Sequence, residues 1–120
     1  MGKRILFVDD ELDVLKVATF RLKKAGYEIT TALDGQAALE LAKRGSFDLI
    51  FLDLRLPGMS GIEVCKVIKS DELIRNTPVI LFTASLDNLE DRVKECGAQD
   101  YLIKPFDPEI LLEKIKKFIN

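Results

Sequence analysis

Five short apolar runs alternate with five stretches in which hydrophobic residues return every three or four positions. The runs are Arg4–Val8, Glu28–Ala32, Leu49–Leu52, Val79–Phe82 and Tyr101–Ile103. The first, third and fourth are nearly unbroken Ile, Leu, Phe and Val, as strands covered on both faces should be. The second, EITTA, is more polar and suits a sheet edge. The intervening stretches predict helices with legible ends. The first runs from about Glu11 to Ala25, with Leu15, Ala18, Leu22 and Ala25 on one face, and Gly26 stands where a left-handed cap is wanted. Asp34 is placed to cap a second helix that stops at Gly45. Ser60 and Glu63 have the spacing of a capping box opening the third. Asp87 and Glu90 repeat that spacing for the fourth, which stops near Gly97. Asp107 and Pro108 give the fifth an N-cap and a proline at its first helical position, ahead of a buried stripe of Leu111, Ile115 and Phe118.

Alternating strand and helix with short connections predicts an α/β fold: a parallel sheet with right-handed crossovers. In such a sheet every strand ends on the same edge. Polar groups follow the apolar runs at Asp9, Asp10, Asp53, Thr83 and Lys104. They therefore meet on one edge although they are spread over most of the chain. Ligands bind such sheets outside the carboxyl ends, where the strand order reverses. If the first strand sits between the second and the third, that crevice is lined by Asp9, Asp10 and Asp53.

Three neighbouring carboxylates repel and raise one another's pKa unless a cation intervenes. Lys104 supplies one positive charge. A hard divalent ion supplies the rest, and Mg²⁺ favours a few carboxylates together with waters and phosphate oxygens. An aspartate can itself be a nucleophile that forms an aspartyl phosphate. In that chemistry the metal and Lys104 stabilise the charge of the transferring group, and the Thr83 hydroxyl can donate to it.

The remaining composition narrows the field. A chain of 120 residues suits one domain, and a hydrophobic content of 48% supports a core without disulfides or structural metal. With 18 basic and 20 acidic residues there is no basic footprint for direct nucleic-acid binding. The chain has no histidine, which removes His-based metal sites, Ser-His and Cys-His catalysis, and an internal phosphohistidine. Cys65 and Cys96 sit among apolar neighbours at helical spacing and read as core residues. No signal peptide or bilayer-length apolar stretch is visible. The expectation is a soluble protein of the reducing cytoplasm, without a membrane partner.

The chain resembles a receiver domain, the phosphoacceptor module of two-component response regulators. The resemblance rests on ILFVDDE at Ile5–Glu11, DLRLPGMSGIE at Asp53–Glu63, FTA at Phe82–Ala84 and YLIKPF at Tyr101–Phe106, in that order and at domain length. It covers essentially residues 1–120 and leaves no output domain in this chain. It implies a flavodoxin-like (βα)5 fold with a five-stranded sheet in the order 2-1-3-4-5. It implies that Asp53 accepts a phosphoryl group from the phosphohistidine of a separate sensor histidine kinase or phosphotransfer protein. Asp10, Asp53 and the backbone carbonyl of Arg55 would bind Mg²⁺ (or Mn²⁺), and Asp9 would act through water. Lys104 would pair with Asp53 or its phosphoryl group. Thr83 would move toward that group and Tyr101 would turn inward. The face formed by the fourth helix, fifth strand and fifth helix would then change for a downstream protein, an output domain or a second copy of the chain. The Lys104–Pro105 bond is often cis in this family. Arg55 and Ser85 occupy positions that vary in the family and should lie beside the phosphoryl group. The module is a switch rather than an enzyme, with self-phosphorylation and slow autodephosphorylation as its only chemistry.

Three other readings fit parts of the pattern. An aspartate-nucleophile phosphohydrolase commonly carries DxD, but position 55 is Arg and no insertion is long enough for a substrate cap. A flavin-binding electron carrier should have a Ser-, Thr- and Gly-rich loop after the first strand, where this chain has VDDELD at Val8–Asp13. A receiver-like interaction module that is never phosphorylated typically lacks one of the acids or the lysine, and all are present here.

Overall fold

Each apolar run forms a strand and each helix-period stretch a helix. The strands are β1 (Arg4–Val8), β2 (Glu28–Ala32), β3 (Leu49–Asp53), β4 (Val79–Thr83) and β5 (Asp100–Ile103). The helices are α1 (Leu12–Lys24), α2 (Gly35–Arg44), α3 (Gly61–Ser70), α4 (Leu89–Cys96) and α5 (Pro108–Phe118). The computed structural model describes residues 2–84 and 87–119. All four strand pairings are parallel, and the sheet order is β2-β1-β3-β4-β5. This is the flavodoxin-like order that the resemblance implied.

Alternation along the strands divides the core in two. Leu6, Val8, Ile50, Leu52, Val79 and Leu81 face α2, α3 and α4. Ile5, Phe7, Leu49, Phe51, Ile80 and Phe82 face α1 and α5. Strands buried on both faces need apolar residues at every position, which is why β1, β3 and β4 read as unbroken runs. On the α1/α5 side, Phe7 packs against Phe51 and Phe82 with ring centroids 5.2 and 5.1 Å apart. Cys65 and Cys96 are buried between α3 and α4, where the Cys65 thiol donates to the Cys96 carbonyl at 3.3 Å. They are core residues, as their spacing suggested.

The helix ends follow the local signals with two corrections. Asp34 accepts from Ala37 N–H, Ser60 from Glu63 N–H and Asp107 from Glu109 N–H, while Gly26 and Gly97 adopt left-handed conformations. Ala25, however, is exposed: it is the C-cap of α1 rather than part of its buried face. At α4 the N-cap position is Asn88, in a left-handed conformation, so that helix begins one residue later than the Asp87–Glu90 spacing implied. At α3 the Ser60 hydroxyl accepts from Glu63 N–H at 3.2 Å and donates to Glu63 Oε1 at 3.4 Å, so the two residues meet as their spacing implied.

β5 is tied to α5 by charge. Asp100 Oδ2 lies 2.7 Å from Lys114 Nζ and 3.5 Å from Lys117 Nζ. Burial works to raise the Asp100 carboxyl, but the Lys114 hydrogen bond, the Tyr101 N–H and both lysine charges outweigh it and hold the group below its ordinary value of 3.8. A carboxyl lowered by folding contributes stability above its unfolded pKa and loses it as pH falls through the folded one. Urea unfolding of Asp100→Asn should therefore show a stability deficit against the wild type at about pH 6 that closes as the pH drops below about 3.8. A deficit independent of pH would mean that the charge pair is not its source.

Candidate functional site

The loop ends of β1, β3, β4 and β5 converge at the reversal of strand order between β1 and β3. Two of the expected site residues belong to the ladders themselves. Asp53 pairs with Phe82 and Thr83 with Ile103, so β3 and β4 each run one residue further than their apolar runs. Asp9 N–H donates to the Ala32 carbonyl at 3.1 Å, and Lys104 N–H to the Thr83 carbonyl at 2.8 Å. Sheet-type hydrogen bonds thus fix the backbone beneath the site. Gly61, at the start of α3, fits closely under Asp53: a Cβ there would overlap the Asp53 carbonyl oxygen.

Asp9 and Asp53 are buried, whereas Asp10 is exposed. Lys104 Nζ lies 2.8 Å from Asp53 Oδ2 and 2.9 Å from Asp9 Oδ2. The same ammonium reaches Glu11 Oε1 at 3.2 Å. It also sits 5.0 Å from the centre of the Phe82 ring, a cation–π distance. The remaining oxygens are held by backbone: Glu11 N–H donates to Asp9 Oδ1 at 2.9 Å, and Arg55 N–H to Asp53 Oδ1 at 3.0 Å. Burial raises the Asp9 carboxyl above its ordinary value, despite the Glu11 N–H and the Lys104 ammonium, and the nearby Asp53 charge adds to the rise. Burial works to lower the Lys104 ammonium, but its bonds to Asp53, Asp9 and Glu11 outweigh that and hold it above 10.5.

Asp9, Asp10, Glu11 and Asp53 each present a carboxylate oxygen within 4.8 Å of one another. The donors are all oxygen, which is the chemistry of a hard cation such as Mg²⁺. The cluster opens into a cavity of about 480 Å³ whose walls include Arg55, Thr83 and Lys104. That volume admits a phosphoryl-sized group beside Asp53.

The structure brings Asp9, Asp10, Asp53, Thr83 and Lys104 together as the strand ends implied. Thr83 is buried at the cavity wall. Arg55 is exposed at the rim. Ser85 lies outside the described residues. The Lys104–Pro105 bond is cis. Tyr101 is half-buried, with its hydroxyl 3.5 Å from Glu90 Oε1 at the edge of α4. Glu11 is the residue that the sequence reading passed over. Its signal was the third acid of Asp9-Asp10-Glu11, which helix-start statistics absorb; only the fold shows its side chain turning back to Lys104.

A family model described as the response regulator receiver domain matches residues 5–116. The alkaline phosphatase synthesis transcriptional regulatory protein PhoP of Bacillus subtilis is 40% identical over 122 residues, covering 100% of this chain and 50% of PhoP. The chain thus spans about half the length of that relative. Among solved structures, the chemotaxis protein CheY4 of Vibrio cholerae superposes with a TM-score of 0.93 at 32% identity, covering 99% of this chain and 100% of CheY4. The receiver domain of sensor histidine kinase PA1611 from Pseudomonas aeruginosa, solved with a magnesium ion in its active-site cleft, gives 0.92 at 32% identity, covering 99% and 98% of the two chains.

The acidic cluster carries an electrostatic cost when no cation fills it. Asp10→Asn should therefore stabilise the protein in metal-free buffer by about 1 kcal/mol, the scale of one unit-charge pair at about 4 Å in water. Urea denaturation with a chelator present tests this, and an unchanged or lower midpoint would show that Asp10 is not under strain.

Proposed function

The chain belongs to the response regulator receiver domain family, and on that footing we propose that residues 1–120 form a phosphorylation-controlled signalling switch with Asp53 as the phosphoacceptor. The observation that carries the reading is the position of Asp53. Its buried carboxylate lines the cavity shared with Asp10, Glu11 and Thr83, one oxygen held by Lys104 Nζ at 2.8 Å and the other by Arg55 N–H at 3.0 Å.

The donor in this reading is a phosphohistidine on a sensor histidine kinase or phosphotransfer protein; these 120 residues contain no histidine. An Asp53 oxygen attacks phosphorus, an O–P bond forms as the P–N bond to the donor imidazole breaks, and the imidazole leaves with the bonding pair. Mg²⁺ (or Mn²⁺), when bound, offsets the negative charge gathered between the carboxylates and the phosphoryl oxygens. Asp10, Asp53 and the Arg55 carbonyl are the ligands proposed for it. Asp9 is fully buried behind the part of the cavity that Asp10 and Asp53 line. That suits Asp9 to an outer role through water. Lys104 is placed to transfer a hydrogen bond from Asp53 to a phosphoryl oxygen, and the Thr83 hydroxyl to approach it from β4.

The response runs from Thr83 to Tyr101 and the α4/β5/α5 face. Movement of Thr83 toward the phosphoryl group vacates space, Tyr101 turns into it, and the altered face engages a downstream protein, an output domain or a second copy of the chain. The chemistry of the chain itself is limited to self-phosphorylation and slow autodephosphorylation, and its setting is the cytoplasm.

Incubation with acetyl phosphate and Mg²⁺ should add one phosphoryl group, read by intact mass, and Asp53→Asn should abolish it. Labelling that persists in the variant would remove Asp53 from its role. Arg55, exposed at the cavity rim, should shield the aspartyl phosphate from water. Arg55→Ala is expected to shorten the lifetime of the phosphorylated state, and an unchanged decay would count against that shielding.

A further inference from the structure

Cys65 and Cys96 are the two cysteines of the chain, and the site around Asp53 uses neither. They come from different helices, α3 and α4, yet lie against each other in the core, 0% and 3% exposed. The Cys65 thiol donates to the Cys96 carbonyl at 3.3 Å, and the Cys96 thiol to the Val93 carbonyl at 3.6 Å. The two thiols are also in hydrogen-bonding contact with one another. Packing alone needs only apolar volume here, whereas two thiols held together can also react. The Cys65 hydrogen bond draws the Cys96 thiol down to about 7 against the pull of burial, and Ala98 N–H assists. The same bond, together with burial, pushes the Cys65 thiol up. Cys96 is therefore the thiolate of the pair, and Cys65 keeps the proton. Lys69, one turn along α3 from Cys65, sets a positive charge beside them, and its stem passes against Gly97. Cys96 stands in the last turn of the eight-residue α4, and helix ends open locally. A small neutral oxidant thus reaches it without global unfolding.

We propose that Cys65 and Cys96 form a redox-active dithiol that a hydroperoxide converts to a disulfide within the native packing, fastening α4 to α3. The Cys96 thiolate attacks a peroxide oxygen, an S–O bond forms and the O–O bond breaks, leaving Cys96 as a sulfenic acid. The departing alkoxide or hydroxide takes up the proton that Cys96 had lost. The Cys65 sulfur, already in contact, then attacks the Cys96 sulfur before a second peroxide can. The S–S bond forms, the S–O bond breaks, and the hydroxide leaves as water with the Cys65 proton. Two thiols are oxidised by two electrons in all, and one hydroperoxide is reduced to an alcohol or water. The bond joins residues 31 apart and closes a loop that contains β4 and α4. None of these steps involves Asp53.

The test is to treat the folded protein with millimolar hydrogen peroxide, quench it, and count free thiols in urea with an aromatic disulfide reagent. The count should fall from two per chain to none, and dithiothreitol should restore it. Peptide mapping without reductant should show Cys65 joined to Cys96 of the same chain. The oxidised protein should unfold at a urea midpoint higher by about 1 M, for a closed loop of that size. In Cys65→Ala, dimedone should trap Cys96 as its sulfenic acid, while in Cys96→Ala the Cys65 thiol should stay unreacted. Thiols that persist in the wild type overturn the proposal, as do sulfinic or sulfonic acids in place of the disulfide, or a bond between two chains. A midpoint that falls on oxidation overturns it too, because the bond would then form only by distorting the packing. Trapping at Cys65 rather than Cys96 overturns the assigned order of attack. If either variant fails to fold, the thiol count and the peptide map of the wild type decide alone.

Discussion

One ammonium group holds the carboxyl edge of this sheet together. Asp9 and Asp53 are withdrawn from water at adjacent strand ends, where two like charges so close repel. Lys104 supplies the opposing charge from the end of β5, on the far side of β3 and β4. Its stem is not free to wander. Its backbone bonds the Thr83 carbonyl, and its ammonium lies over Phe82, which packs in turn against Phe7 and Phe106. The charge network and the aromatic core on the α1/α5 side are therefore one construction. A buried pair of this kind is costly to break, because removing either partner strands the other charge.

Compensation by Lys104 is incomplete. Four acids gather around one amine, and only Asp10 and Glu11 can relieve the excess by facing solvent. An incompletely neutralised oxygen cluster is a poor resting state and a good receptor. It favours a hard cation, and a cation in turn makes the site tolerant of a phosphoryl group that bare carboxylates would repel. In the proposed switch, that imbalance would help keep the two states close in free energy.

Much of this was legible in the chain. Burial on both faces forces β1, β3 and β4 to be apolar throughout, so polar residues can enter only where the strands reach the edge. Asp9, Asp53, Thr83 and Lys104 therefore announced themselves by interrupting the runs. Helix signals that act within a few residues were equally readable, at Asp34, Ser60, Asp107, Gly26 and Gly97. The signals failed where tertiary geometry overrode local spacing. Ala25 keeps the period of α1 but sits exposed at its C-cap, and α4 starts from Asn88, one residue past the position that the Asp87–Glu90 spacing marked.

The sequence by itself determined the strand and helix pattern, the parallel sheet and the residues at its carboxyl edge, because burial and capping are local or periodic constraints. Only the tertiary structure decided how those residues share charge. It placed both buried acids on one Lys104, left Asp10 open to solvent and turned Glu11 back onto the same amine. Glu11 and Lys104 are far apart in the chain, and no spacing rule links an exposed acid at the start of one helix to an amine at the end of the last strand. Their meeting follows from the strand order, which brings the ends of β1, β3 and β5 within reach of a single side chain.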